Sequence, residues 1–264
     1  DLHYPLRRQR QMCIRDSMNT GDTAFMMICA ALVFFMTPGL AFFYGGLVRR
    51  KNVCNTIMAC VAIMGLSVVM WTLFGYSLSF GGNHAGIIGD FRWFGLNGVG
   101  MEAGPYADSI PHLVFCAFQM MFAMITPALI TGSLVGRMKF KALFLFVASW
   151  SVIVYYPMTH MVWGDGGFLA AIGSVDFAGG DVVHISSGIS ALVLAIILGR
   201  RRGYEHTTYR IHNIPSVVLG ASLLWFGWFG FNAGSALKAD GLAAHAFMTC
   251  LLYTSPSPRD MRRS

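Results

Sequence analysis

Residues 176 to 202 read DFAGGDVVHISSGISALVLAIILGRRR. From Asp181 to Leu198 the string is apolar or small, and its single basic side chain is His184. Arg200, Arg201 and Arg202 close it. A helix of about 20 mainly apolar residues crosses the ~30 Å hydrocarbon core of a bilayer. Basic residues mark the cytoplasmic end of such a helix. The stretch therefore predicts a membrane span running inward, with an ionisable side chain inside it. Such side chains are rare in spans and are functional by default.

The same pattern extends in both directions. Apolar segments run from Ala24 to Val48, Asn55 to Phe80, His112 to Val135, Phe140 to Trp163, Asp181 to Leu198 and Pro215 to Leu237. A further one starts near Leu242 and reaches Thr249. Arg49, Arg50 and Lys51 follow the first segment, and Arg137, Lys139 and Lys141 follow the third. Arg200, Arg201, Arg202 and Arg210 follow the fifth. Every second connection is thus basic, and the others carry Asp90, Glu102, Asp108, Asp165, Asp176 and Asp240. Alternating flanks predict an all-α membrane protein, a polytopic helical bundle of six membrane helices plus the start of a seventh, multi-pass in the cell membrane. The long Gly-rich stretch from Gly81 to Pro111 is expected to be an external loop. Gly132 with Gly136, and Gly230 with Gly234, form GxxxG pairs that permit close helix contact.

Composition agrees. Hydrophobic residues make up 55% of the 264 and charged residues 12%, about half the charged share of a soluble domain. The net charge of +7 reports topology, because no basic cluster is interleaved with aromatics for stacking bases; no nucleic-acid partner is expected. The six cysteines include no CxxC pair, so neither a disulfide framework nor a metal site is expected. No Walker A, HExxH or GxSxG pattern appears, and nothing calls for an enzyme or a cofactor. Residues 1–17 and 250–264 are polar, basic or Pro-broken; they resemble translated adapter sequence and are set apart as a non-native leader and tail, leaving 18–249 as the membrane domain to be read.

Four strings carry a specific resemblance: FYGGLVRRKN (Phe43–Asn52), HMVWGDGG (His160–Gly167), DFAGGDVVHI (Asp176–Ile185) and GWFGFNAGSA (Gly227–Ala236). In order and spacing the chain resembles the ammonium transporter family (Amt/Mep/Rh), nearer the Amt branch, over roughly residues 19–249. The resemblance implies an eleven-helix inverted-repeat transporter fold, of which this chain holds helices one to six and the start of seven. It further implies a homotrimer with one substrate path per subunit, and a cytoplasmic nitrogen-regulatory protein as a partner.

By residue type alone, Trp163 fits an interfacial belt anchor, and Phe122 and Phe231 fit ordinary aromatic packing. The resemblance implies more. Trp163, Phe122 and Ser235 form the outer substrate-binding site for ammonium. Phe122 and Phe231 stack as the pore gate below it; Phe231 shares a helix face with Ser235 at i and i+4. His184 lines the pore and pairs with a second histidine from the other repeat, beyond Thr249. Trp228 lines the path on a nearby turn and is expected in the same vestibule. Asp176 organises the outer site from behind in preference to touching ammonium, since a carboxylate at a helix start accepts backbone N–H groups. Asp181 reads as a helix-end residue, His160 as structural, and His206 and His212 as solvated loop residues.

Magnitudes shape the expected mechanism. An unpaired ammonium-sized ion costs tens of kcal/mol to move into apolar surroundings in the idealised limit. A desolvated cation–π contact returns about 2 kcal/mol or more. Ammonium is therefore expected to bind outside, shed its proton and cross as ammonia, with the proton taking another route, by way of His184. The alternatives are an ammonium sensor of the same fold and a non-functional half-protein.

Overall fold

The computed structural model describes residues 18–201 and 210–253. The segments 1–17 and 254–264 lie outside the described residues, as do Arg202 and His206. Six helices are long and apolar enough to cross a membrane: α1 (Thr20–Leu47), α2 (Arg50–Phe80), α3 (His112–Leu134), α4 (Phe140–Ala171), α5 (Gly180–Leu198) and α6 (Ile214–Gly234). A shorter helix, α7 (Gly241–Tyr253), follows and continues past Thr249. Each expected segment coincides with one of these helices to within a few residues at its ends, save that α4, whose main run ends at Trp163, adds a short further helix at Phe168–Ala171.

Local chemistry sets the ends. Asn19 caps α1 by accepting the N–H groups of Gly21 at 2.7 Å and Asp22 at 3.2 Å. Asp22, in the first turn, also reaches across to accept the N–H of Ala239 at 2.9 Å ahead of α7. Asn213 caps α6 through the N–H of Ser216, followed by Pro215 in the first turn, where a missing N–H does no harm.

The three basic connections gather at one end of the bundle. His212 and Asn213 donate their N–H groups to Val48 and Gly46, and the Arg137 guanidinium donates to the carbonyls of Ala195 and Gly199. The acidic connections meet at the other end, where Asn19 bonds to Ser109, and Phe168 to Gly86. The basic and the acidic connections thus lie at opposite ends of the bundle, as an alternating threading requires. The loop from Gly81 to Pro111 is more ordered than expected. It holds a small antiparallel pair, β1 (Ala103–Gly104) with β2 (Ala107–Pro111).

Helix α3 is the centre of the bundle: 72% of its most apolar window is buried, against 22% for α5. Helices α1 and α6 lie in very close contact. A Cβ on Gly230 would come within 2.6 Å of Leu32 Cβ, one on Gly234 within 2.8 Å of Cys29 Cβ, and one on Gly220 within 2.3 Å of the Phe43 backbone nitrogen. The Gly230/Gly234 pair therefore does what its spacing predicted, as part of a longer seam. The Gly132/Gly136 pair does not. Helix α3 ends at Leu134, and Gly136 sits in the following turn at φ +71°. Gly132 alone gives room, to the Tyr44 ring.

Helices α2, α4 and α5 each contain a π-helical stretch: Trp71–Gly75, Ser151–Tyr155 and Gly180–Ile185. Such wide turns are frequent at functional sites. At the end of the first, a Cβ on Gly75 would meet the ring of Tyr156, the residue that follows the second, at 2.6 Å. The third carries His184.

Candidate functional site

The site begins with Asp176. Its carboxylate accepts four backbone N–H groups: Gly179 at 2.5 Å and Gly180 at 2.8 Å on Oδ1, Asp181 at 2.8 Å and Val182 at 3.0 Å on Oδ2. A carboxylate offers about four lone-pair sites, so this one is saturated. It fixes the wide first turn of α5, whose N–H groups have no intrahelical partner. The backbone reaches that turn through Gly179 at φ +119°, a conformation glycine adopts without strain. A Cβ there would press on Val183 and on the Phe231 ring.

The Asp176 carbonyl oxygen accepts the Trp163 indole N–H at 2.9 Å. The Gly-rich turn before α5 thereby sets the indole at the end of the main run of α4. Trp163 meets Phe122 of α3 edge to face, with ring centroids 5.8 Å apart at 85°. Phe122 meets Phe231 of α6 at 4.5 Å. Both phenyl groups are buried. Their planes meet at 46°, tilted where stacking was expected. Phe231 in turn lies 5.9 Å from the His184 ring at 28°, and His184 lies 6.2 Å from Trp228. Four helices thus supply one file of rings: Trp163, Phe122, Phe231, His184.

A cavity of about 460 Å³ opens at the acidic end of the bundle. Trp163, Phe122, Ser235 and Asp176 line it, together with Tyr106, Phe115 and Gln119. The Ser235 hydroxyl donates to the Phe231 carbonyl at 2.8 Å, which leaves its own lone pairs as acceptors. Tyr106 donates to Phe80 O and accepts from the N–H of Asp165. Burial raises the Tyr106 phenol above its ordinary value, so its proton stays in place. Phe122 lines the cavity and carries the contact to Phe231. Trp228 lies beside His184 and is absent from the residues that line this cavity, where it was expected.

Other expectations resolve simply. His160 is buried, with Nδ1 3.0 Å from the Ser79 carbonyl oxygen, tying α4 to α2. Asp181 accepts the Ser174 hydroxyl at 2.8 Å at the start of α5. His212 is exposed in the connection before α6. Tyr106, Phe115 and Gln119 were not anticipated as lining residues. Only Gln119 had a signal: it precedes Phe122 by three positions and shares its helix face.

Six apolar spans packed about a buried third helix, with a cavity lined by aromatic rings on the acidic side, define a multi-pass helical membrane protein. Residues 24–255 match the model of the Ammonium Transporter Family. The chain belongs to that family. It is 51% identical over 231 residues to an ammonium transporter of Bacillus subtilis, covering 88% of this chain and 56% of the relative. Among solved structures it superimposes on the crystal structure of Saccharomyces cerevisiae Mep2 with a TM-score of 0.80, at 34% identity, covering 88% of this chain and 54% of that one. It resembles a structure titled Sensor Amt Protein with a TM-score of 0.77, at 29% identity, covering 87% and 58%. The chain thus spans about half the length of the relatives it matches.

Proposed function

We propose that this chain forms the outer recruitment site, the gate and one wall of a path that carries ammonium nitrogen across the membrane. The observation that carries the proposal is the file of rings from Trp163 through Phe122 and Phe231 to His184, at 5.8, 4.5 and 5.9 Å, directly beneath the vestibule. Ammonium enters from the acidic side. It meets the faces of Trp163 and Phe122 and the free lone pairs of Ser235. The saturated carboxylate of Asp176 keeps the indole in place and lends a negative field without offering a ligand oxygen.

Below the vestibule the floor is two phenyl rings in contact. An ion cannot cross it intact, since desolvating the cation costs far more than one or two cation–π contacts return. The nitrogen therefore crosses as ammonia, and the proton leaves by a separate route in which the imidazole of His184, just past Phe231, takes part. His184 is exposed on the open side of the chain, and the proposal sets the facing wall on the further length that the relatives possess. Assembly as a homotrimer, and contact with a cytoplasmic nitrogen-regulatory protein, belong to the same reading. The likeness to the Sensor Amt Protein favours a second reading, in which the same vestibule reports ammonium without passing it.

The test has two parts. Calorimetric titration of the chain in lipid nanodiscs with ammonium chloride, against potassium chloride, reads recruitment. Flux into vesicles, with the chain completed by the C-terminal half of the Bacillus subtilis relative, reads conduction. Ammonium-selective binding lost in Trp163→Leu, together with flux, is the expected result. Binding without flux supports the sensor reading. Binding unchanged in Trp163→Leu overturns the recruitment site.

A further inference from the structure

The side chains lining the vestibule leave very little hydrogen-bonding capacity unused. Ammonium carries only donors, so what it can find there is a question of free acceptors. The Trp163 indole has a donor and no acceptor, and that donor is engaged by Asp176 O. The Asp176 carboxylate accepts four N–H groups. The Tyr106 hydroxyl donates once and accepts once. The Ser235 hydroxyl donates and keeps its lone pairs. The remaining polar side chain is Gln119, whose amide has no hydrogen-bond partner among the described residues, with Oε1 fully buried.

A buried amide oxygen without a partner is uncommon in a folded protein and asks for a reason. Here the reason is at hand. Gln119 lies in the cavity wall, one helical turn before Phe122 and on its face. Its terminal torsion is broad and roughly two-fold. Because no hydrogen bond holds the amide, turning it breaks none, and a half-turn exchanges nitrogen for oxygen in nearly the same volume.

Resting on the recruitment reading above, we infer that Gln119 is a second hydrogen-bonding ligand of the vestibule, turning its amide carbonyl to accept an N–H from ammonium held against Trp163 and Phe122. Ser235 and Gln119 then provide two acceptors on different helices, α6 and α3, above the same gate. This arrangement distinguishes ammonium from potassium. Both cations are drawn by aromatic faces, but only ammonium has N–H groups to satisfy two fixed, directional acceptors.

The test is calorimetric titration of the chain in nanodiscs with ammonium chloride and, separately, with potassium chloride. Gln119→Met keeps the volume and removes the acceptor; Gln119→Glu keeps an acceptor in the same shape. Gln119→Met is expected to weaken ammonium binding about tenfold, which is about 1.4 kcal/mol at 25 °C. Potassium, which carbonyl oxygens also coordinate but which brings no directional N–H donors, should lose less, so the selectivity ratio falls. Gln119→Glu is expected to retain ammonium binding, a rescue that a merely structural role for Gln119 would not produce. Equal ammonium affinity in Gln119→Met and the unmodified chain overturns the inference while leaving recruitment at Trp163 intact. Absence of ammonium binding by the unmodified chain overturns the recruitment reading itself.

Discussion

Replacing Asp176 by Asn tests whether this residue organises the vestibule or binds ammonium. The substitution keeps the shape, removes the charge and turns one acceptor oxygen into an NH2 group. Whichever way the amide faces, two of the four backbone N–H groups at Gly179, Gly180, Asp181 and Val182 meet a donor in place of an acceptor. Hydrogen bonds to a charged group contribute about 1.5–3 kcal/mol each. Losing two removes about 3–6 kcal/mol, and the two that survive weaken as the charge goes. Against a typical folding stability of about 5–15 kcal/mol that is a large fraction, concentrated in the turn that begins α5. Thermal unfolding of the chain in nanodiscs, followed by tryptophan fluorescence, should shift down by roughly 6 °C or more, using about 2–4 °C per kcal/mol. Ammonium binding should fall with it, because Trp163 is held by the carbonyl of the same residue. Unchanged unfolding together with lost ammonium binding would refute the organising role and show that the carboxylate touches the ion. Unchanged unfolding with unchanged binding would refute the hydrogen-bond argument altogether.

Three further outcomes are expected. Trp163→Leu removes the largest cation–π surface, worth about 2 kcal/mol, so ammonium affinity measured by titration should fall about thirtyfold. Gly230→Ala forces a methyl within 2.6 Å of Leu32 Cβ and should destabilise the α1–α6 seam by about 1–3 kcal/mol; Gly65→Ala, facing open space, is the control, and both are read by thermal unfolding. The Asp90 carboxyl in the external loop feels burial that raises it, but N–H groups of Arg92 and Gly82 and the Arg92 guanidinium at 3.1 Å hold it below its ordinary value. Its contribution is therefore present above the unfolded carboxylate value of about 3.9 and is lost as pH falls through the lower folded value. Acid titration of loop protease resistance should show that loss in the unmodified chain and not in Asp90→Asn.

The membrane class, the six spans and the alternation of their basic and acidic flanks were legible without coordinates, because each is a property of consecutive residues. A bilayer demands about 20 apolar residues in a row, and charge in the connections sets orientation. The seam of Gly220, Gly227, Gly230 and Gly234 was read only in part. Spacing reveals that a helix has a small face but not which neighbour uses it, and the same spacing at Gly132 and Gly136 was misleading because α3 ends between them.

The ring file could be named from a resemblance, but its physical content came from packing. Phe122, Trp163, His184 and Phe231 stand on four helices, and no local pattern states that their centroids lie within 6 Å of the next. Asp176 takes its four donors from the next six residues, so its capping was legible locally, whereas the place of Trp228 beside His184 and the unpartnered amide oxygen of Gln119 depend on which side chains arrive from elsewhere in the chain. Sequence by itself determined how the chain lies in the bilayer, because solvent acts on each segment separately. Only the tertiary structure decided which rings and which free acceptors gather around the cavity, because those contacts join residues far apart in the chain.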